Sequence, residues 1–113
     1  MQLAISTYSL WRWMRENRRS PEDAVRQIAD FGVAGVEFAG LDPLQPNSDP
    51  LRRARVLARA AARSGLQIVG YCVAAELLVP SEQQRRAIRE LFRQVDAAVE
   101  LGVRTMRHDV TRG

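Results

Sequence analysis

The sequence predicts an α/β protein built on a parallel sheet, with elements in the order βαβαβαβ. Three observations predict it. Amphipathic stretches with helix-start and helix-stop residues alternate with short, near-continuous apolar runs, the pattern of strands covered on both faces. Each later run follows a glycine, at Gly32, Gly65 and Gly102, and that near-regular recurrence marks a repeated βα unit. The chain has 113 residues, 46% hydrophobic and 27% charged, which is ordinary for one domain with a real core.

The elements follow in order. "QLAIS", residues 2–6, is the first strand. The turn after it reads "TYSLWRWMRENRR"; it carries neither G-x-G-x-x-G nor a Walker sequence, so no phosphate-cradling nucleotide loop is expected there. The first helix spans about 20–31. Ser20 caps it, Pro21 fits the first turn, and Glu22 and Asp23 suit the positive end of the helix dipole. Ala24, Val25, Ile28 and Ala29 form its apolar stripe and Gly32 closes it.

The second strand is 34–38. A second helix, 50–64, repeats the design: Asp49 caps, Pro50 starts and Gly65 ends it. Ala54, Leu57, Ala58 and Ala61 are the buried side, with Arg52, Arg55, Arg59 and Arg63 facing away. The third strand is 67–73. The third helix runs from 81 to 101, with a capping box of Ser81 and Gln84 and a stripe of Ile88, Leu91, Phe92, Val95 and Val99. The fourth strand is 103–109. Right-handed crossovers put all helices on one side of a sheet that curls. Residues 1–113 are therefore expected to form one partial domain, the N-terminal half of a (β/α)8 barrel, which in full takes about 250 residues. A small doubly wound sheet is the alternative.

Charge and composition exclude several partners. The net charge is +4, and all 17 basic residues are arginine. They interleave with acids on the helices and have few aromatic neighbours, which suits a solvated face and not a nucleic-acid interface. No apolar run approaches the roughly 20 residues of a membrane span, and "MQLAIST" has no signal-peptide pattern. A cytoplasmic protein without membrane partners is expected. Cys72, the single cysteine, excludes an internal disulfide and is expected to be a small buried hydrophobe in a strand.

In a barrel, function sits at the C-terminal ends of the strands. Those ends carry Ser6 and Thr7, then Glu37, then Tyr71 and Cys72, then Arg107, His108 and Asp109. Aligning the three glycines puts Glu37, Gly70 and Arg107 in one register and the apolar Val36, Val69 and Met106 in the other. Because strand residues alternate faces, Glu37, Arg107 and Asp109 are expected to point into the barrel mouth. A carboxylate within an apolar strand is costly unless paired or solvated, so Glu37 is expected to touch a substrate hydroxyl or a metal's shell, or to form an ion pair with Arg107, and these roles are compatible. Arg107 suits a phosphate or carboxylate through its planar fork. His108 by parity faces the helices, like Phe38 and Tyr71, unless the chain is already leaving the sheet. Tyr8 and Trp11, with Trp13, lie in the first βα connection, where an aromatic can wall a pocket and cover the apolar face of a sugar.

The stretches "AISTYSLWRW", "SPEDAVRQIADFGVAGVEF", "GLQIVGYCV" and "ELGVRTMRHDV" resemble sugar phosphate isomerases/epimerases of the xylose isomerase-like TIM-barrel superfamily, over essentially the whole chain. The resemblance implies a metal-dependent enzyme that abstracts a proton next to a carbonyl of a sugar or sugar phosphate. On their placement at the strand ends Glu37, His108 and Asp109 are the candidate catalytic residues, His108 with support from the likeness of "MRHD" to the family, and Tyr8, Trp11, Tyr71 and Arg107 are the candidate substrate contacts. The resemblance implies a divalent metal, Mn or Mg, in the complete enzyme. The family's metal-binding carboxylates and two catalytic glutamates come mostly from strands five to eight and have no match here. No residue is assigned to metal, tight binding of one to this chain is not expected, and the chain is expected to be inactive alone. The alternative is a non-catalytic half-barrel that binds a small anionic or sugar ligand and self-associates as a homodimer through its open sheet edges. A DNA-repair nuclease, which shares the superfamily, is disfavoured because those enzymes use a histidine-rich metal cluster and His108 is the only histidine.

Overall fold

Glycines and caps in the sequence set where each element starts and stops. The computed structural model describes residues 1–111. Along the chain lie β1 (Ala4–Ser6), a 3-10 turn (Thr7–Leu10), α1 (Trp11–Asn17), α2 (Pro21–Asp30), β2 (Gly35–Ala39), α3 (Pro50–Arg63), β3 (Gln67–Val73), α4 (Ser81–Leu101) and β4 (Met106–His108). The four strands form one parallel sheet in the order β1-β2-β3-β4. A doubly wound sheet reverses its strand order at a switch point; this one advances one strand per βα unit, as half of a (β/α)8 barrel does.

The start of α2 is the best-defined cap. Ser20 Oγ accepts from the Asp23 N–H at 3.1 Å, and Asp23 Oδ2 accepts from the Ser20 N–H at 3.0 Å, which satisfies two otherwise orphaned donors. Asp23 also pairs with Arg26. The Ser20 backbone N–H, above all, holds the Asp23 carboxyl below its ordinary value of 3.8, against the opposing effect of burial. A depressed folded-state pKa contributes stability at pH above that ordinary value, and the contribution is lost as pH falls through the folded one. Urea midpoints measured through this range are therefore expected to fall more steeply for the native chain than for Asp23→Asn, which keeps an acceptor but has no charge to lose.

Asp49 caps α3 by accepting from the Leu51 N–H at 3.3 Å. The capping box expected at Ser81 and Gln84 is not formed. Pro80 is the N-cap, Ser81 is already inside α4, and the Pro80 carbonyl accepts the Gln83 N–H at 2.8 Å. The first βα connection is not an open loop, since Thr7–Asn17 is helical. Met14 is buried, Arg12 Nε donates to Glu16 Oε1 at 2.7 Å, and Arg18 ends α1 in a left-handed conformation.

Helices α2, α3 and α4 cover one face of the sheet. Val25 and Ile28, Ala54, Leu57 and Ala61, and Ala97, Ala98 and Leu101 pack against Val36, Phe38 and Tyr71. One expectation is corrected, and one open point is decided. Val36 pairs with Ile68 but Glu37 pairs with Gly70, so β3 carries one extra residue, Val69. That shift turns Val69 away from the helices and toward the Gly35 side, where it is exposed. It also explains Gly35: a Cβ there would meet Val69 Cγ1 at 2.9 Å and the Gln67 carbonyl oxygen at 3.0 Å. The second concerns which side of α4 meets the sheet, which its stripe leaves open. The helix turns Ala97, Ala98 and Leu101 to the core, while Ile88, Phe92, Val95 and Val99 are exposed. Among the described residues no helix is long and apolar enough to cross a membrane.

Candidate functional site

The site is assembled at the C-terminal ends of the strands. Thr7, buried at the end of β1, accepts the Ala39 N–H on Oγ1 at 2.9 Å. This ties the first connection to the end of β2. The Gly40 N–H donates to the Cys72 carbonyl at 2.8 Å, so the edge of β2 is tied to β3 as well. Gly40 has φ +71°, and a Cβ on it would come within 3.0 Å of Trp11 Cζ2. A glycine is required on both counts, and the indole rests directly over the backbone. Between these supports lies an open groove of about 260 Å³, lined by Tyr8, Trp11, Cys72, Arg107 and Asp109 among others. A second, of about 180 Å³, lies against Trp11 and is bounded by Asp42, Gln45 and Gln94.

The sheet face that looks away from the helices carries a polar row. Glu37 pairs in register with Gly70, and Cys72 with Arg107. The Cys72 thiol lies 3.7 Å from Glu37 Oε1 and donates to it. Glu37 and Arg107 make no direct ion pair, which removes that half of the expectation. They stand on β2 and β4 with β3 between them, about 10 Å apart at the usual strand spacing, and Cys72 fills the gap. Burial pushes the Cys72 thiol up; Arg107 draws it back and Glu37 pushes it further up. The net shift is upward, so the sulfur keeps its proton at neutral pH and acts as a donor to Glu37 instead of a nucleophile.

The predicted site residues are therefore divided. Tyr8, Trp11, Arg107 and Asp109 share the groove, and Glu37 joins it through Cys72. Asp109 is held there by its N–H, which donates to the Val73 carbonyl at 3.3 Å and carries the β3–β4 ladder one residue past the strand. Tyr71 does not line the first groove, but it borders the second, beside Gln94. It is buried on the helix side, and its hydroxyl donates to Gln94 Oε1 of α4 at 2.6 Å. Burial pushes its phenol well above the usual range. His108 sits opposite Val73 in β4, and it is exposed. Its Nδ1 lies 2.9 Å from the Asp109 carbonyl oxygen; that oxygen only accepts, so Nδ1 carries the proton. His108 does not line the groove.

Sequence reasoning missed Cys72 as a residue of this face. The signal was there, since Cys72 is two residues past Gly70, already placed in register with Glu37. It also missed Gly40, whose need for a positive φ is not visible without the partner indole.

A divalent metal needs several oxygen or nitrogen ligands converging on one point. Among the described residues no three His, Cys, Asp or Glu side chains do so. Glu37 is a single carboxylate whose neighbour is a protonated thiol, so this donor set does not fit a metal.

A parallel sheet in sequential order, helices on one face and polar side chains gathered at the strand C-termini define a β/α-barrel protein of the kind whose ligands bind at the barrel mouth. The family model for the xylose isomerase-like TIM barrel matches residues 25–112, and the chain belongs to that family. No curated protein matches it.

Proposed function

We propose that the chain carries the substrate-gripping part of a sugar or sugar phosphate isomerase/epimerase. The observation that carries this reading is the groove itself: an arginine and a carboxylate face two aromatic side chains at the C-terminal end of a barrel-type sheet. Membership of the xylose isomerase-like family supports it. Arg107 holds a phosphate or an enolate-like oxygen through its fork. Trp11 and Tyr8 cover the C–H face of the sugar. Asp109 accepts from a hydroxyl or takes the proton next to the carbonyl. Return of that proton to the opposite face of the same carbon epimerises the sugar, and return to the neighbouring carbon isomerises it. Glu37, bonded to Cys72, fixes the thiol that Arg107 faces. The divalent ion expected for such an enzyme, Mn or Mg, finds no ligand set among the described residues.

Proton transfer from one face and back from another needs two opposed groups, and of the two carboxylates on this face only Asp109 lines the groove, while Glu37 reaches it through the Cys72 thiol. We therefore expect this chain to bind its ligand without turning it over. A small molecule is favoured over nucleic acid because the helix arginines are interleaved with acids, as in Arg55 with Glu100 and Arg93 with Glu90.

The test is a titration of the chain with a ketose phosphate and with the same unphosphorylated ketose, followed by tryptophan fluorescence and backbone NMR. Saturable shifts at Trp11 and Arg107 are expected. Arg107→Ala is expected to weaken the phosphorylated ligand about 10- to 100-fold, the loss of a charged hydrogen bond, with a smaller effect on the unphosphorylated one. Absence of any saturable shift, or binding of duplex DNA with steep salt dependence, would overturn the reading.

A further inference from the structure

On the face that α4 turns from the sheet, Ile88, Phe92, Val95 and Val99 are exposed, Phe92 at 64% and Val99 at 71%. Their spacing of four, three and four residues is the a/d seam of a helix that packs lengthwise against another helix. A seam of this size left open is unusual for a water-facing helix. The charges beside it decide what covers it. Arg89 and Asp96 follow Ile88 and Val95 by one residue each, so they flank the seam on the same side. Neither makes an ion pair among the described residues.

We propose that α4 docks against α4 of a second copy of this chain, antiparallel, about a twofold axis. Ile88 then meets the partner's Val99, and Phe92 meets the partner's Val95. The same register brings Arg89 to the partner's Asp96 and Asp96 to the partner's Arg89. Antiparallel packing sets these two flanking positions on the same side of the seam, where their opposite charges attract, while parallel packing sets them on opposite sides, where they do not meet. Arg85, one turn earlier, comes beside the C-terminal end of the partner's α4, where helix carbonyls favour a cation. In a dimer that closes a barrel through β1 and β4, the helix position between β4 and the partner's β1 separates α4 from the partner's α2, so that pairing does not cover the seam.

The proposal is independent of what the groove binds, and its test reads only assembly. Sedimentation equilibrium on the full chain is expected to show a reversible dimer with a midpoint on the order of 10 µM, as for a small interface. Phe92→Asp, at an exposed position, is expected to keep the helical circular dichroism and thermal midpoint while weakening the dimer at least 100-fold. Arg89→Asp alone is expected to weaken it several-fold, and Arg89→Asp with Asp96→Arg to restore it. A chain that stays monomeric to 200 µM, a dimer indifferent to Phe92→Asp, or a double reversal that fails to restore assembly would each overturn the proposal. The second of these outcomes would point to pairing of the open strand edges.

Discussion

Phe38→Ala is expected to cost about 3–5 kcal/mol of folding free energy, the largest effect of any truncation in the core. Phe38 lies in the middle of β2 on the helix side and is fully buried among residues of α2, α3 and β3. Its neighbours are anchored in three separate elements, and the backbone beneath them is tied into the ladder from both sides. They are poorly placed to collapse into the space a phenyl ring vacates, so the cavity penalty is retained in full beside the lost transfer energy. A chain of this length has a total stability on the order of 5–15 kcal/mol, so the variant is left near the margin. At roughly 4–8 °C per kcal/mol, its thermal midpoint drops by more than 10 °C. Phe38→Leu, which restores most of the volume, is expected to recover more than half of the loss. The check is urea denaturation of all three proteins at one concentration, with equal m-values required for the comparison. A cost below 1 kcal/mol would mean that the helices do not hold this face of the sheet tightly.

What the sequence discloses depends on how local the determining physics is. The capping box at Ser20 and Asp23, the proline starts at Pro21 and Pro50, and the left-handed glycines at Gly32, Gly65 and Gly102 are decided within a few residues, and they are legible. The strand order is nearly so, because right-handed βα repetition leaves few alternatives. The extra residue at Val69 is not, because a register shift is settled between two strands thirty residues apart. That is why the side on which Val69 lies is not legible from the spacing of the glycines. The stripe of α4 is legible as apolar, but its place on the helix's outer side is not. Periodicity reports that a helix has an apolar face, while which face meets the sheet is decided by the small Ala97 and Ala98, which let the helix approach closely. Tyr71 illustrates the same limit at the site. Its place at a strand end is legible, but only the partner Gln94 on α4 shows that the ring belongs to the core.

Arg53→Ala is expected to cost about 3 kcal/mol and to loosen the groove from a distance. In the sequence Arg53 is one arginine among many on α3, yet it alone turns inward. Its Nη2 reaches Glu22 Oε1 of α2 at 2.5 Å and Asp42 Oδ2 of the β2–α3 connection at 3.4 Å. The Asp42 side chain is only 6% exposed, and its other oxygen accepts the Leu44 N–H at 2.9 Å. Removing the guanidinium strands a buried carboxylate, which is far more costly than the pair itself is worth. Asp42 stands two residues beyond Gly40, on which Trp11 rests, so the connection it anchors is also the support of the groove wall. The expected result is therefore double: a lower urea midpoint and a more solvent-exposed, red-shifted Trp11 emission before global unfolding. The triple variant Glu22→Gln, Asp42→Asn, Arg53→Met removes every charge of the cluster together and is expected to recover most of the stability. If Arg53→Ala costs less than 1 kcal/mol, the cluster behaves as an ordinary surface pair, and the groove wall must be held by the Thr7–Ala39 and Gly40–Cys72 hydrogen bonds alone.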